Sequence, residues 1–239
     1  GAACGEQLKR VSLELGGKSA AIVLDDADVA RTAAGLRFAS FMNNGQACAA
    51  QTRVLAPRSR YDEVVDALAA EVASFVVGDP LDPATEIGPL VNRRQQERVL
   101  GYIEIGEAEG ARRVVRGSAG PDGGCYVAPT LFADVDNRMR IAQEEIFGPV
   151  LVVIPYDDED DAVRIANDSA FGLGGSVWTK DKAHGLALAR RVRTGMFGVN
   201  TFGPDVSAPC GGYKASGIGR EYGQMGIEAF LETKAVHGA

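Results

Sequence analysis

The sequence predicts an α/β protein: a largely parallel, twisted sheet with flanking helices. Short apolar runs of strand length recur along the chain, helix-length amphipathic stretches separate them, and each connection is long enough to be a crossover. Parallel strands need such crossovers, whereas antiparallel strands can be joined by tight hairpins.

The elements follow in order. "VSLEL" (11–15) sets Val11, Leu13 and Leu15 against Ser12 and Glu14, the period of a half-buried strand. "AAIVL" (20–24) is a continuous apolar run, as expected of a strand covered on both faces. Carboxylates at Asp25 to Asp28 then cap a helix over "VARTAAGLRFASF". "TRVLA" (52–56) reads as a strand and "YDEVVDALAAEVASFV" (61–76) as an amphipathic helix. The Pro-rich connector at 78–91 leads to a helix over 92–109, a strand at 112–117 and turn residues at 117–124. "VLVVIPY" (150–156) is a second buried strand, followed by a helix at 158–167 and a strand at 174–179. A helix at 181–193 and a strand at 195–200 complete the alternation. Beyond residue 200 the chain is Gly-rich and reads as loop, and a long loop in a compact domain is usually functional.

Composition narrows the function classes. The net charge of −7 argues against nucleic acid or an anionic membrane as partner. No apolar run reaches the ~20 residues of a membrane span, and no signal peptide is evident. Cys4, Cys48, Cys125 and Cys210 lie far apart without a CxxC pair, so neither a zinc site nor a disulfide framework is expected, and a cytoplasmic setting is. The chain opens without Met and enters a strand within fifteen residues, as the middle of a longer protein would.

Several motifs fail their tests. "GGKS" (16–19) lacks the upstream glycine of a phosphate loop, since Ser12 stands in its place. "GIGREYG" (217–223) has Tyr222 where a dinucleotide fingerprint needs its third glycine. The two histidines, His184 and His237, have no context that would pair either with a cysteine nucleophile, and both read as surface residues.

"NNGQACAAQTR" (43–53) is different. Its Gly45-Gln46 turn follows an apolar run and can aim the Cys48 sulfur into a cleft, as a nucleophilic thiol requires. Glu14, just before Gly16-Gly17, is a carboxylate at a strand end that opens toward a crevice. A carboxylate near a thiol, with no histidine available, suggests a base that activates water to hydrolyse a thioester. Either residue alone has a plainer reading: a small buried hydrophobe for Cys48, the solvated face of a strand for Glu14.

Taken in order, "LELGGKS" (13–19), "GQAC" (45–48), "EEIFGPV" (144–150) and "PCGGYKASGIGRE" (209–221) resemble the aldehyde dehydrogenase superfamily across essentially the whole chain. The resemblance implies an oxidoreductase that converts an aldehyde to a carboxylic acid with NAD or NADP. Cys48 matches its catalytic thiol and Glu14 its general base. Glu145 matches the carboxylate that binds the nicotinamide ribose, Phe147 the aromatic beside the nicotinamide, and Gly16 and Gly17, with Leu15 before them, a turn that lets the cofactor lie close to backbone. The loop at 199–210 matches the wall of the aldehyde tunnel, with Asn200 structural rather than catalytic.

The family usually carries Phe where Cys210 stands, and the resemblance places the upstream nucleotide-binding domain outside this sequence. The expected division is residues 1–16 as the tail of that domain, 17–216 as the catalytic domain, and 217–239 as a return segment with an oligomerisation strand at 229–238. On this reading the parent protein is a homo-oligomer, dimer or tetramer, and the chain alone has low or absent dehydrogenase activity. A CoA-acylating dehydrogenase and an inactive assembly module are the alternatives; Glu14 argues against the first, which needs no water-activating base.

Overall fold

A computed structural model describes residues 1–203 and 205–238. A short helix, α1 (Ala2–Glu6), precedes β1 (Leu13–Glu14) and β2 (Ala20–Val23). Helix α2 (Val29–Phe41) begins where Asp28 accepts from the Arg31 amide at 3.1 Å, satisfying a donor the helix start leaves free. Then come β3 (Arg53–Pro57), α3 (Tyr61–Ala73), α4 (Arg93–Ala108), β4 (Arg112–Arg116), β5 (Thr130–Ala133) and α5 (Arg140–Gln143). The chain continues through β6 (Val150–Tyr156), α6 (Glu159–Asn167), β7 (Phe171–Gly172), β8 (Gly175–Trp178) and α7 (Lys182–Ala189). Last are β9 (Gly198–Val199), β10 (Tyr213–Lys214), β11 (Gly217–Ile218) and α8 (Gly223–Glu228).

Seven strands form the central sheet in the order β4-β5-β6-β3-β2-β8-β9. Only the β4–β5 pair is antiparallel. Strand alternation divides the core between two faces. Ile22, Leu55, Val152 and Val177 pack with Val99, Ile141, Val163 and Leu188 of α4, α5, α6 and α7. Val23, Val54, Val153 and Trp178 pack with Ala33, Leu36, Val64 and Leu68 of α2 and α3. The α/β expectation therefore holds, with helices on both faces of a mostly parallel sheet.

The differences from the sequence reading have local causes. β1 covers only two of residues 11–15, because its partner β11 is itself two residues long, with Gly217 and Gly219 at φ 130° and 80°. β9 stops at Asn200, whose φ is 56°. There the Asn200 Oδ1 accepts from the Thr179 amide at 2.8 Å and its Nδ2 donates to the Thr179 carbonyl at 2.7 Å, in place of a ladder. The sequence reading did not anticipate β5, a four-residue strand among turn residues. Residues 231–238 form no strand here, and Phe230 and Val236 lie exposed. Pro204, in the loop expected to line the tunnel, is outside the described residues. Among the described residues no helix is long and apolar enough to cross a membrane.

Candidate active site

The parallel registers align Ala20 with Arg53 and Gly175, and Arg53 with Val152, so the amino ends of β2, β3, β6 and β8 lie side by side. Residues 16–18, 45–48, 145–148 and 172–174 enter those strands, and they collect at that sheet edge. Ligands in open α/β sheets commonly bind at the carboxyl ends instead. The crevice expected beside Glu14 is thus at the opposite end from the one that general rule suggests.

The Cys48 loop is built by backbone strain. After α2, Asn43, Asn44 and Gly45 take left-handed φ values of 51°, 59° and 73°, a conformation that Asn and Gly tolerate best. Asn44 fastens the turn to the Pro-rich connector, donating to the Pro89 carbonyl at 3.1 Å and accepting from the Gly88 amide at 2.8 Å. The Gln46 Oε1 accepts from the Val91 amide at 3.0 Å. The turn leaves Cys48 exposed.

Glycines let the loops interlock. A Cβ on Gly17 would come within 2.6 Å of the Cys48 carbonyl oxygen, one on Gly16 would strike the Glu145 carboxylate, and one on Gly45 would strike the Gly148 carbonyl. The Gly17 amide donates to Glu145 Oε1 at 3.0 Å. The Gly16-Gly17 pair was expected to make room for a cofactor; the groups it admits here are Glu145 and the backbone of Cys48. The structure brings together Gly16, Gly17, Cys48 and Glu145, with Leu15 exposed at the rim and its amide bonded to the Ser216 carbonyl.

Phe147 sits at φ 63°, an unfavourable conformation for an aromatic residue. The polar face of α4 holds it there. Gln95 Nε2 donates to the carbonyls of Ile146 (3.1 Å) and Phe147 (2.8 Å), and Arg98 donates to those of Glu145 and Ile146. Tyr102 donates to Glu144 Oε2 at 2.7 Å, and Arg140 donates to both Glu144 oxygens. Arg140 and then Tyr102 hold the Glu144 carboxyl down at about 2. Sequence reasoning missed Gln95, Arg98 and Tyr102. On "RRQQER" a polar helix face looks merely solvated, and most of its partners are main-chain carbonyls that no side-chain motif records.

Glu14 lies on β1 with its Oε2 3.9 Å from the Cys210 sulfur, while its buried Oε1 has no hydrogen-bond partner among protein atoms. Burial, and then the Glu221 charge, push its pKa up; Arg220, the Gly212 amide and Cys210 pull the other way. Cys48 is open to solvent on one side, yet partial burial of its sulfur and the nearby Glu14 charge raise its pKa against the pull of the Ala49 and Cys48 amides. A nucleophilic thiol is expected to have a lowered pKa; among the described residues no cation contributes to lowering this one.

Behind this edge Lys18 is 2% exposed and its Nζ has no hydrogen-bond partner among the described residues. Burial and then the Arg53 charge push it down to about 7, against Glu145 and Glu144. The buried Arg53 guanidinium donates to the carbonyls of Lys18, Ile165 and Ala166 and to Asn137 Oδ1, tying the β2 and β3 entries to the end of α6. His184 pairs with Glu159 at 2.7 Å on the surface.

A profile described as the aldehyde dehydrogenase family matches residues 1–236. A geranial dehydrogenase from Castellaniella defragrans is 53% identical over 235 residues, which are 98% of this chain and 49% of that protein. A 3-succinoylsemialdehyde-pyridine dehydrogenase from a Pseudomonas species is 47% identical, over 97% of this chain and 49% of its own length. Among solved structures, a Mycobacterium tuberculosis aldehyde dehydrogenase complexed with NAD+ superposes with a TM-score of 0.92 at 55% identity, over 95% of this chain and 47% of that one. A Pseudomonas syringae aldehyde dehydrogenase mutant in complex with NAD+ and octanal gives 0.94 at 46% identity, over 98% and 49%. The chain spans about half the length of the curated relatives it matches.

Proposed function

Because the chain belongs to the aldehyde dehydrogenase family, we propose that the protein carrying it oxidises an aldehyde to a carboxylic acid with NAD+ or NADP+, with Cys48 as nucleophile and Glu14 as base. The observation that carries this reading is electrostatic. After burial, the Glu14 charge is what raises the Cys48 pKa, with Glu145 adding to it, and Gly17 of the same segment packs on the Cys48 carbonyl.

The Cys48 thiolate attacks the aldehyde carbon, a C–S bond forms, and the carbonyl electron pair moves to oxygen. The Cys48 amide is the chain's own donor for that oxyanion. A bound nicotinamide cofactor supplies the acceptor for the hydride lost from carbon. The product on the enzyme is a thioester at Cys48. Glu14 then takes a proton from water, the water oxygen attacks the acyl carbon, and the C–S bond breaks to release the acid and restore the thiolate.

The residues present fit the nicotinamide end of such a cofactor. One Glu145 oxygen holds the Gly17 amide, and a carboxylate has further lone pairs with which to accept from a ribose diol. Gly16, next to Leu15, abuts the Glu145 carboxylate, and Phe147 follows Glu145 in the same turn. The relatives named for geranial and crystallised with octanal make a medium-length aliphatic aldehyde the first substrate to try. Octanal-dependent reduction of NAD+ or NADP+ by the protein, lost in Cys48→Ala, tests the proposal; equal turnover without the thiol refutes it.

The pairing of β1 with β11 and the ion pair of Arg10 with Glu232 tie residues 1–16 to the last segment. That supports a division into 17–216 as the catalytic unit and two ends that belong with another module. The exposed 231–238 segment suits assembly into a homo-oligomer.

A further inference from the structure

We propose that Cys210 is a positioning residue for Glu14, its S–H donating to the carboxylate that serves as base. The inference rests on the reading of Glu14 given above, and it assigns work to a position where the resembled family usually carries Phe, which has no hydrogen to donate.

The geometry has three parts. The Cys210 sulfur lies 3.9 Å from Glu14 Oε2, and it is the one side-chain donor to that carboxylate among the described residues. The contact is long for a hydrogen bond, as catalytic contacts often are before substrate binds. Cys210 is itself held rigidly: its amide donates to the Glu221 carbonyl and its carbonyl accepts from the Glu221 amide, each at 2.7 Å. A sulfur fixed by its own backbone restrains the flexible carboxylate it touches. Finally, Glu14 is short of donors among the described residues: its Oε1 is buried without a partner, and the Gly212 amide alone supplements Cys210.

The thiol is suited to this task and not to a second nucleophilic role. Burial, followed by the charges of Glu14, Cys48 and Glu221, pushes Cys210 up to about 11, with Arg220 opposing. Cys210 therefore stays protonated, and a donor, throughout the range in which a carboxylate titrates. Donation to the ionised form favours that form. The other charged groups facing Glu14 are Glu221, which disfavours ionisation, and Arg220, which favours it. Cys210 adds to the Arg220 side.

The test is a 13C titration of the glutamate carboxyls in the protein, with the Glu14 signal identified by its loss in Glu14→Gln. Cys210→Ala should raise the Glu14 midpoint by about 0.3–0.5 pH unit, and Cys210→Ser, which keeps a donor, should bring it back. Hydrolysis of 4-nitrophenyl acetate should slow roughly two- to threefold below that midpoint in Cys210→Ala, the low end of a net hydrogen-bond contribution, and recover in Cys210→Ser. A Glu14 midpoint that stays put or falls in Cys210→Ala, or a Ser variant that behaves like Ala, overturns the proposal. If Cys48→Ala hydrolyses the ester as fast as the native protein, the catalytic reading fails, and the titration still decides the Cys210 contact.

Discussion

The Gly17 amide donates to Glu145 Oε1 while the same residue, lacking a Cβ, lets the Cys48 carbonyl pass within 2.6 Å of where a methyl would stand. One glycine thus sets the spacing between the thiol loop and the Glu145 carboxylate. Gly17→Ala forces backbone against backbone, which no rotamer change relieves. It should destabilise the protein by about 1–3 kcal/mol and, in the fraction that folds, slow iodoacetamide alkylation of Cys48. Thermal unfolding and a timed alkylation check both parts, and unchanged values would contradict the interlock.

The Glu14 charge raises the Cys48 pKa after burial does. Removing it in Glu14→Gln lowers that pKa and enlarges the thiolate fraction near neutral pH. Alkylation of Cys48 should therefore quicken by roughly two- to tenfold at pH 7.5, since one pKa unit is a factor of ten in thiolate. Release of an acyl group from Cys48 should slow in the same variant. Parallel changes in both steps would contradict the division of roles.

Glu14 has its own pKa raised, by burial and then by Glu221. On the proposed mechanism deacylation needs the ionised base, so its acid limb is moved up from that of an ordinary glutamate. Glu221→Gln removes a like charge, lowers the Glu14 pKa and moves the limb to lower pH. The pH profile of single-turnover thioester hydrolysis reads the shift, and a move to higher pH would be inconsistent with it.

Lys18 titrates near 7 in the folded protein and near 10.5 when exposed. Between those values the unfolded chain binds the extra proton, so this residue makes stability rise with pH across the interval and leaves it flat below. Lys18→Met removes the rise. The difference in unfolding free energy between Lys18→Met and the native protein should shrink from pH 7 to pH 10 by on the order of a few kcal/mol. A difference independent of pH would mean that Lys18 is charged throughout.

Gln95 and Arg98 together hold the strained Phe147 turn by its carbonyls. Gln95→Ala should weaken NAD+ binding by the parent protein several-fold, as the loss of a net hydrogen bond or two implies, with little effect on Cys48 alkylation. Equal losses in both would mark a general unfolding of the edge.

What the sequence made legible follows from where each signal sits. "VLVVIPY" and "VARTAAGLRFASF" carry their periodicity in their own residues, and both became elements with the expected bounds. Strand 11–15 shrank because a strand's length belongs to its partner too, and β11 is two residues long, while 195–200 shrank because the chain turns at Asn200. Cys48 and Glu14 were visible because reactive groups stand out against an apolar pattern. Gln95, Arg98 and the Gly17 contact were not, because they act on main-chain atoms from loops far apart in the chain. The raised Cys48 pKa was also hidden, since it depends on which charges the fold brings to the sulfur.

The most direct measurement is the identity of the acylated residue. Brief exposure of the protein to 4-nitrophenyl acetate, acid quench and peptide mass mapping should place one acetyl group on the peptide that contains Cys48. The group should accumulate further in Glu14→Gln, where water is no longer activated. An acetyl group on Cys210, Lys18 or any other residue, with Cys48 left free, would contradict the account.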